Sequence, residues 1–148
     1  CINAGVDKSN VKGDETFALL PKDPDKSAQQ IRSQIRSLLG KEVAVIICDT
    51  YSRPFRRGQV ELAIGLAGMN PFRDYRSQED LFGYVLKVKN SAIADELASA
   101  AELHIGQGNE ATPVVVVKGF HRFTVAEEAS ASDLYMSRKE DLFKGTLP

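Results

Sequence analysis

The strongest constraint on the fold is a helical pattern that leads directly into a short strand pattern. Apolar residues recur at helical spacing from Asp25 onward, and Gly40 stands where that helix would end. Its apolar face consists of Ala28, Ile31, Ile35, Leu38 and Leu39. The β-branched run at residues 43–48 then predicts a strand that is buried on both faces. A helix followed by a buried strand indicates mixed α/β layers, so we expect an α+β fold.

Further strand patterns lie on either side of this unit. Residues 17–20 predict a short strand. Residues 60–69 are apolar but are interrupted by Gly65 and Gly68, which predicts a strand with a bulge or a close backbone approach. Alternation at residues 84–88 predicts the edge strand of a sheet, and the valine run at residues 114–117 predicts a second buried strand.

A second helix is expected between the last two of these strands. Asn90 or Ser91 can cap its first turn. Its expected apolar face consists of Ile93, Leu97, Ala100, Ala101 and His104. Residues 127–142 have a modest helical pattern, with apolar positions at Leu134, Met136 and Leu142.

Composition and charge limit the class of protein. The 148 residues are 43% hydrophobic and 26% charged, which is typical of one soluble globular domain, and we predict a single domain over residues 1–148. The 19 Lys and Arg residues nearly balance the 20 Asp and Glu residues, so the chain has no overall field that would hold nucleic acid or an acidic membrane. The longest apolar run is far too short to cross a bilayer. We therefore expect a cytoplasmic protein that has neither a nucleic-acid nor a membrane partner.

The two cysteines, Cys1 and Cys48, are too few for the disulfide framework of a secreted domain. Cys48 lies in an apolar run, where we expect a buried thiol. The chain begins at Cys1 rather than at Met, and we interpret it as part of a longer protein. The alternative is that Cys1 is a processed N-terminal nucleophile.

A polar segment at residues 49–59 separates two apolar segments, so chemistry is expected there. Asp49 and Thr50 follow the buried strand directly, and this sequence position indicates the ligand-binding edge of a sheet. A carboxylate and a hydroxyl are hard oxygen donors, which suit Mg²⁺ beside a phosphate. Asp49 capping the following turn through the backbone is the structural alternative.

Three other segments contain candidate ligand-binding groups. Asp7 lies in a polar turn-like stretch and offers an oxygen to a cation or a ribose, although an Asx turn is favoured by residue type alone. Residues 106–112 could wrap a phosphate with backbone amides, but they lack the lysine and the spacing of a P-loop. Arg53, Arg56 and Arg57 could bind carboxylate or phosphate, or neutralise Asp49.

These residue types together predict divalent-metal-assisted handling of a phosphorylated, acidic ligand. His104 and His121 have neither metal-ligand spacing nor a Cys/His partner, so we expect structural roles for both.

Several ordered motifs also resemble the coenzyme F-420-0:γ-glutamyl ligase family. The motifs are Gly5-Val6-Asp7-Lys8-Ser9-Asn10, Leu19-Leu20-Pro21, Asp49-Thr50-Tyr51-Ser52-Arg53-Pro54-Phe55-Arg56, Gly58-Gln59, Ala63-Ile64-Gly65, Ala94-Asp95-Glu96-Leu97 and residues 113–119, Pro-Val-Val-Val-Val-Lys-Gly. The resemblance covers almost the whole chain, but the family has a leading portion, with part of the nucleotide site, that would precede Cys1.

The resemblance implies a GTP-dependent ligase that adds L-glutamate to coenzyme F-420-0 through γ-glutamyl amide bonds, by way of an acyl phosphate. It implies two divalent ions, Mg²⁺ or Mn²⁺, allows a monovalent cation such as K⁺, and implies a homodimer with a family-specific α+β fold. The implied metal ligands are Asp7, Asp49, Thr50 and Gln107. The implied nucleotide contacts are Asn10, Ile105, Gly106, Gln107, Gly108, Asn109, Glu110, Ala111 and Thr112.

We assign Asp49, Arg53 and Arg56 to the catalytic set, the two arginines on physical grounds alone. Two alternatives remain open at this point. One is a noncatalytic segment of a longer protein that binds metal and nucleotide or forms a dimer contact. The other is a metal-dependent phosphohydrolase, because water and an amine can both attack an activated centre.

Overall fold

The computed structural model describes residues 5–137 and 139–141 of the chain. Within this part, two α-helices and six strands occur in the order β1 (Val6–Asp7), β2 (Ala18–Leu19), α1 (Pro24–Leu39), β3 (Val45–Ser52), β4 (Gln59–Ala67), β5 (Arg73–Asp74), β6 (Asn90–Ser91) and α2 (Ile93–Ile105). A short 3-10 helix follows at Ala131–Leu134. The strands pair as three two-stranded antiparallel sheets, β1 with β2, β3 with β4 and β5 with β6.

The predicted first helix is confirmed, together with its end. The Asp23 side chain caps α1 by accepting the backbone N–H of Lys26, Pro24 occupies the first turn, and Gly40 ends the helix in the left-handed conformation. Only part of the expected apolar face of α1 is buried against other described residues. Ala28 is buried, whereas Leu38 is 80% exposed.

The β3–β4 hairpin departs from the expected strand and loop boundaries. β3 continues through Ser52, so Asp49 and Thr50 lie within a strand and not in a polar loop after it. Its residues are partly exposed, and the prediction of burial on both faces is wrong because the sheet has only two strands in the described part of the chain. A polar loop was expected at residues 49–59, and only residues 53–58 lie outside the two strands.

The bulge and the close approach predicted for residues 60–69 are both present in β4. The register with β3 shifts between Ile47 and Cys48, which pair with Gly65 and Ala63 and leave Ile64 as the extra residue. A Cβ on Gly65 would lie 2.5 Å from the backbone of Pro24. The glycine therefore allows α1 to pack directly against the hairpin.

Side chains from both helices cover the edge of β4 that β3 does not pair. Ser99 of α2 donates to the Glu61 carbonyl at 2.8 Å, and Asp95 accepts from the Ala63 N–H at 2.9 Å. Asp25 of α1 accepts from the Leu66 N–H at 2.8 Å and from the Ala131 N–H at 3.0 Å. These contacts satisfy backbone groups that would otherwise be left open on a free strand edge.

The core lies where β4, α2 and the 3-10 helix meet. Its buried members are Ala63, Leu66, Met69, Ile93, Ala94 and Ala131. The second helix is confirmed, and Leu97 packs against this core, but Ala100 and His104 of its expected apolar face are exposed. The predicted short strand at residues 17–20 is present in reduced form as β2.

Two predicted strands are wrong. Residues 84–88 form no strand, and Val85 makes only an isolated bridge to Glu79. Residues 114–117 are neither a strand nor buried, since Val114 is 74% and Val116 is 73% exposed. β-branched residues favour a strand only where a neighbouring strand can pair with them, and the described residues provide none for this run.

The predicted helical tail is reduced to the 3-10 helix, which Ser130 and Asp133 stabilise through a capping box. Leu142 lies outside the described residues. Helices and small antiparallel sheets together make a mixed architecture consistent with α+β. Within residues 5–137 and 139–141, neither helix has the length and apolar character needed to span a membrane.

Candidate functional site

Three polar side chains meet beside the β3–β4 hairpin. The Thr50 hydroxyl lies 2.7 Å from Oε1 of Glu61, and the Gln107 amide Nε2 donates to the same Oε1 at 3.0 Å. Oγ1 of Thr50 and Oε1 of Gln107 are 3.2 Å apart. We call Thr50, Glu61 and Gln107 the hairpin cluster.

β3, β4 and the segment after α2 each contribute one member of the hairpin cluster. Thr50 on β3 is directly opposite Glu61 on β4 in the strand register. Gln107 follows Gly106, which ends α2 by donating its N–H to the Glu102 carbonyl at 2.9 Å. The cluster is therefore fixed by the hairpin register and by the point at which α2 ends.

Glu61 is the functional candidate that the sequence analysis missed. Its side chain is 5% exposed and holds both Thr50 and Gln107. The available sign was a single acidic residue within the apolar run at residues 60–69. A buried carboxylate needs hydrogen-bond donors around it, and the two neighbouring side chains supply them.

Cys48 also borders this carboxylate. Burial, followed by a hydrogen bond to Glu61, raises the pKa of the Cys48 thiol to about 12. The thiol therefore remains protonated at neutral pH, although the residue is only partly buried and not fully buried as expected. A protonated thiol is a poor nucleophile, so Cys48 is unsuited to covalent catalysis.

The donor atoms of the hairpin cluster fit a hard divalent cation. A carboxylate, a hydroxyl and an amide carbonyl are the oxygen ligands that Mg²⁺ and Mn²⁺ prefer. The described residues contain no group of three or more His, Cys, Asp or Glu side chains arranged to hold a metal ion. Any cation held here would therefore rely on neutral oxygens and water beside a single carboxylate.

Asp49 is next to Thr50 but lies outside the hairpin cluster. It is opposite Leu62 in the register, and successive residues of a strand face opposite sides of the sheet. Within the described part of the chain, no hydrogen bond or ion pair joins Asp49 to the cluster or to Arg53, Arg56 or Arg57. The carboxylate is therefore not neutralised by these arginines.

The three arginines after β3 have different environments. Arg53 is partly buried, and its Nε is buried with no hydrogen-bond partner among the described residues. Arg56 and Arg57 are exposed in the connection between the two strands. An orphaned guanidinium N–H costs roughly 1–3 kcal/mol, and an anionic ligand would satisfy it.

The Asp7 region forms a local turn. Asp7 accepts from the Ser9 backbone N–H at 2.8 Å and from the Ser9 hydroxyl at 2.7 Å, which is the Asx turn that residue type favours. These bonds, the backbone one first, lower the pKa of the Asp7 carboxyl. Asn10 is exposed and has a φ of 50°. Among the residues that the structure describes, no hydrogen bond joins Asp7 or Asn10 to the hairpin cluster.

The segment that follows α2 folds around its own carboxylate. Glu110 accepts the Gly108 N–H at 2.8 Å, and a Cβ on Gly106 would lie 2.2 Å from the Glu110 carboxyl carbon. The Thr112 hydroxyl donates to the Glu110 carbonyl at 3.1 Å, and Ala111 has a φ of 52°. Ile105 ends α2, and Asn109 is exposed. Glu110 thus occupies a backbone donor that a phosphate oxygen could use.

Comparison with known proteins agrees with the motifs quoted above. A family model described as F420-0:Gamma-glutamyl ligase matches residues 1–119. The Coenzyme F420:L-glutamate ligase of Methanothermobacter thermautotrophicus is 42% identical over 145 residues, which are 98% of this chain and 57% of the relative. The protein of the same name from Archaeoglobus fulgidus is 44% identical over 147 residues, 99% of this chain and 57% of the relative.

A third relative of that name, from Methanocaldococcus jannaschii, is 44% identical over 145 residues, 97% of this chain and 56% of the relative. The chain spans little more than half the length of the curated relatives it matches. The matched residues include the whole β3–β4 hairpin, α2 and Gln107. The chain belongs to the F420-0:gamma-glutamyl ligase family.

Proposed function

We propose that this chain supplies the metal-binding and nucleotide-binding part of an enzyme that ligates L-glutamate to coenzyme F420-0 through a γ-glutamyl amide bond. GTP is the proposed phosphoryl donor, and Mg²⁺ or Mn²⁺ the proposed cation, with two ions in each site. The proposal extends to a homodimer with the fold of the family. The relatives matched over 97–99% of this chain are named as coenzyme F420:L-glutamate ligases, which supports this choice of reaction.

The observation that carries the proposal is the meeting of Thr50 and Gln107. The family resemblance assigns both residues to metal binding, and their oxygens lie 3.2 Å apart although they belong to distant segments of the chain. The Glu61 carboxylate holds both through hydrogen bonds of 2.7 and 3.0 Å. This preorganises two neutral oxygen donors beside one negative charge, as a cation site requires.

Arg53 is proposed to bind an acidic substrate group. Its buried Nε has no partner among the described residues, and a carboxylate or phosphate oxygen would complete its hydrogen bonding. Arg56 and Arg57 lie exposed in the same connection, where they can attract anionic substrates without contributing fixed geometry. Within this proposal, Arg53 and Arg56 bind substrate beside the carboxylate of Asp49.

The proposed reaction has two steps. The terminal carboxylate of the precursor attacks the γ-phosphorus of GTP, so that an oxygen–phosphorus bond forms and GDP leaves. The glutamate amine then attacks the resulting acyl carbon, loses a proton and displaces inorganic phosphate. Bound divalent cations supply charge neutralisation for the phosphoryl group, and positioning by the protein supplies much of the remaining acceleration.

Calorimetry of Mn²⁺-dependent GTP and GDP binding tests whether these residues hold a nucleotide site. The comparison is between the unaltered chain, Asp49→Ala and the control Glu96→Gln, which removes one negative charge at an exposed position of α2. We expect Mn²⁺-dependent binding in the unaltered chain and in the control, and its loss in a folded Asp49→Ala variant. Equal binding in all three proteins would contradict the role of metal ligand that the family resemblance implies for Asp49.

Activity separates the ligase from its alternatives. In a full-length protein that contains this sequence, we expect GDP release that depends on L-glutamate and on the F420-0 precursor, with an amide product detected by mass spectrometry. GTP loss without glutamate incorporation would favour a phosphohydrolase. Binding without turnover in the full-length protein would favour a noncatalytic nucleotide-binding role.

A further inference from the structure

A cavity of about 610 Å³ lies at the opposite end of β4 from the hairpin cluster. Its walls come from the segment that follows β4, from β6 and from the loop at residues 121–124. Its lining includes the amide and basic side chains of Asn70, Arg73, Arg76, Asn90, His121 and Arg122. Six residues of strand separate Glu61 from the end of β4, or about 20 Å, so this cavity and the cluster are distinct places.

The cavity walls are joined by backbone hydrogen bonds. The Asn70 N–H donates to the Thr124 carbonyl at 2.8 Å, which links the end of β4 to the second wall. The Tyr75 N–H donates to the Lys89 carbonyl at 3.0 Å, and Arg73 pairs with Ser91 in the β5–β6 ladder. The cavity is therefore bounded by segments that hold one another in place.

Three guanidinium groups and one carboxylate, that of Asp74, line the cavity. Asp74 binds Arg76 through both carboxylate oxygens, with a shortest distance of 2.6 Å. The hydrogen bonds from Arg76 lower the pKa of the Asp74 carboxyl to about 2, so this carboxylate is ionised and already paired. It fixes Arg76 and leaves the other two positive charges uncompensated.

Arg73 and Arg122 have no ion pair with any residue in the described ranges. Arg73 is partly buried and stacks over the Tyr75 ring, with its guanidinium carbon 4.7 Å from the ring centroid. Stacking holds the plane of the guanidinium while its N–H donors remain available. Arg122 is exposed and lines the same cavity from the loop at residues 121–124, so both guanidinium groups are available to a ligand there.

We propose that this cavity is an anion site, in which Arg73 and Arg122 bind a phosphate or carboxylate group of a small ligand. Guanidinium groups bind either oxyanion through paired N–H donors. Amide side chains from Asn70 and Asn90 line the same space and can bind polar atoms next to the anionic group. The site is separate from the proposed ligase chemistry and does not depend on it.

Amide NMR of the ¹⁵N-labelled chain tests this site with two probes, inorganic phosphate and the dicarboxylate glutarate. We expect saturable shifts of the Arg73, Asn90 and Arg122 amides with at least one probe. The variant Arg73→Gln/Arg122→Gln should weaken that probe's binding by about tenfold or more, since charge-assisted hydrogen bonds are lost. Lys12→Gln/Lys22→Gln is the charge-matched control, because it removes two exposed positive charges outside the cavity lining, and it should bind as the unaltered chain does.

The two probes identify the chemistry of the ligand. Saturation by phosphate alone supports a phosphate-bearing ligand, and saturation by glutarate alone supports a carboxylate-bearing one. If the double variant loses its dispersed spectrum, Arg122→Gln alone gives the comparison, because Arg122 is exposed and forms no ion pair in the described ranges. Absence of saturation with both probes, or equal affinity in the arginine variants, would overturn the proposal. Neither result bears on glutamate ligation, which is measured by its own product.

Discussion

Gln107 lies 57 positions after Thr50 in the chain, yet its Oε1 is 3.2 Å from the Thr50 hydroxyl oxygen. Both side chains are held by one oxygen of Glu61, which is 95% removed from solvent by the hairpin and α2. The carboxylate turns the Gln107 amide so that its Nε2 faces Glu61 and its carbonyl oxygen lies beside Thr50. The candidate metal-binding oxygens therefore depend on a residue that the motifs do not mark.

The substitution Glu61→Gln should weaken Mn²⁺ binding by about tenfold or more while the fold is kept, because the charge that holds Thr50 and Gln107 is removed. Glu61→Ala should also lower the free energy of unfolding by about 1–3 kcal/mol, because the Thr50 and Gln107 donors lose their buried acceptor. Electron paramagnetic resonance of free Mn²⁺ and urea unfolding measure the two effects. Glu96→Gln, an exposed change on α2, is the control. Unchanged Mn²⁺ affinity in Glu61→Gln would show that Glu61 does not contribute to cation binding.

Gly65→Ala should destabilise the fold by about 3 kcal/mol, at the upper end of the range for overpacking. The added Cβ would lie 2.5 Å from backbone atoms of Pro24, which cannot move away as the end of a flexible side chain can. Gly58→Ala is the comparison, since its Cβ would meet nothing within 4 Å and its cost of about 1 kcal/mol comes from the positive φ alone. Urea unfolding curves measure both, and equal losses would show that α1 does not pack closely against β4.

Local sequence patterns were sufficient for the elements whose stabilising contacts are themselves local. Gly40 ends α1 at the predicted position, and the Asp23 cap and Pro24 in the first turn are further local signals, which the sequence analysis did not use. The irregularity in β4 was marked by Gly65, which has no substitute at that close approach. Such features follow from backbone geometry and need no knowledge of distant residues.

The remaining features depend on partners that are distant in the chain. In the sequence, Glu61 is an isolated acidic residue in an apolar strand. Its role is evident only from the structure, in which Thr50 and Gln107 lie beside it. The valines at residues 114–117 have strand propensity, but they are not a strand among the described residues because no neighbour pairs with them. Motif resemblance identified the family because it contains information on those distant relationships that periodicity lacks.

Arg32 and Glu127 predict a dependence of stability on pH. Both guanidinium Nη atoms of Arg32 donate to Glu127, at 2.6 and 3.0 Å, and this lowers the pKa of the Glu127 carboxyl below its ordinary value of 4.5. The pair therefore stabilises the fold above that value, and its contribution is lost as the pH falls through the lower, folded-state pKa. The melting temperature of Glu127→Gln should lie below that of the unaltered chain at neutral pH, and the difference should shrink in acid. Glu128→Gln should show no such difference, and a pH-independent gap for Glu127→Gln would contradict the linkage.

Glu110→Ala should speed hydrogen exchange at the Gly108 amide by about tenfold or more, because a single charge-assisted hydrogen bond of roughly 1.5–3 kcal/mol protects it. Glu110 accepts that N–H at 2.8 Å and fills the space beside Gly106. Asn109→Ala is the control, since Asn109 is exposed in the same loop and its side chain forms no hydrogen bond with another described residue. NMR exchange rates of the two variants decide the question. Equal protection of Gly108 in both would mean that the loop keeps its shape without the carboxylate, and the occupied donor would then not be a barrier to an incoming phosphate.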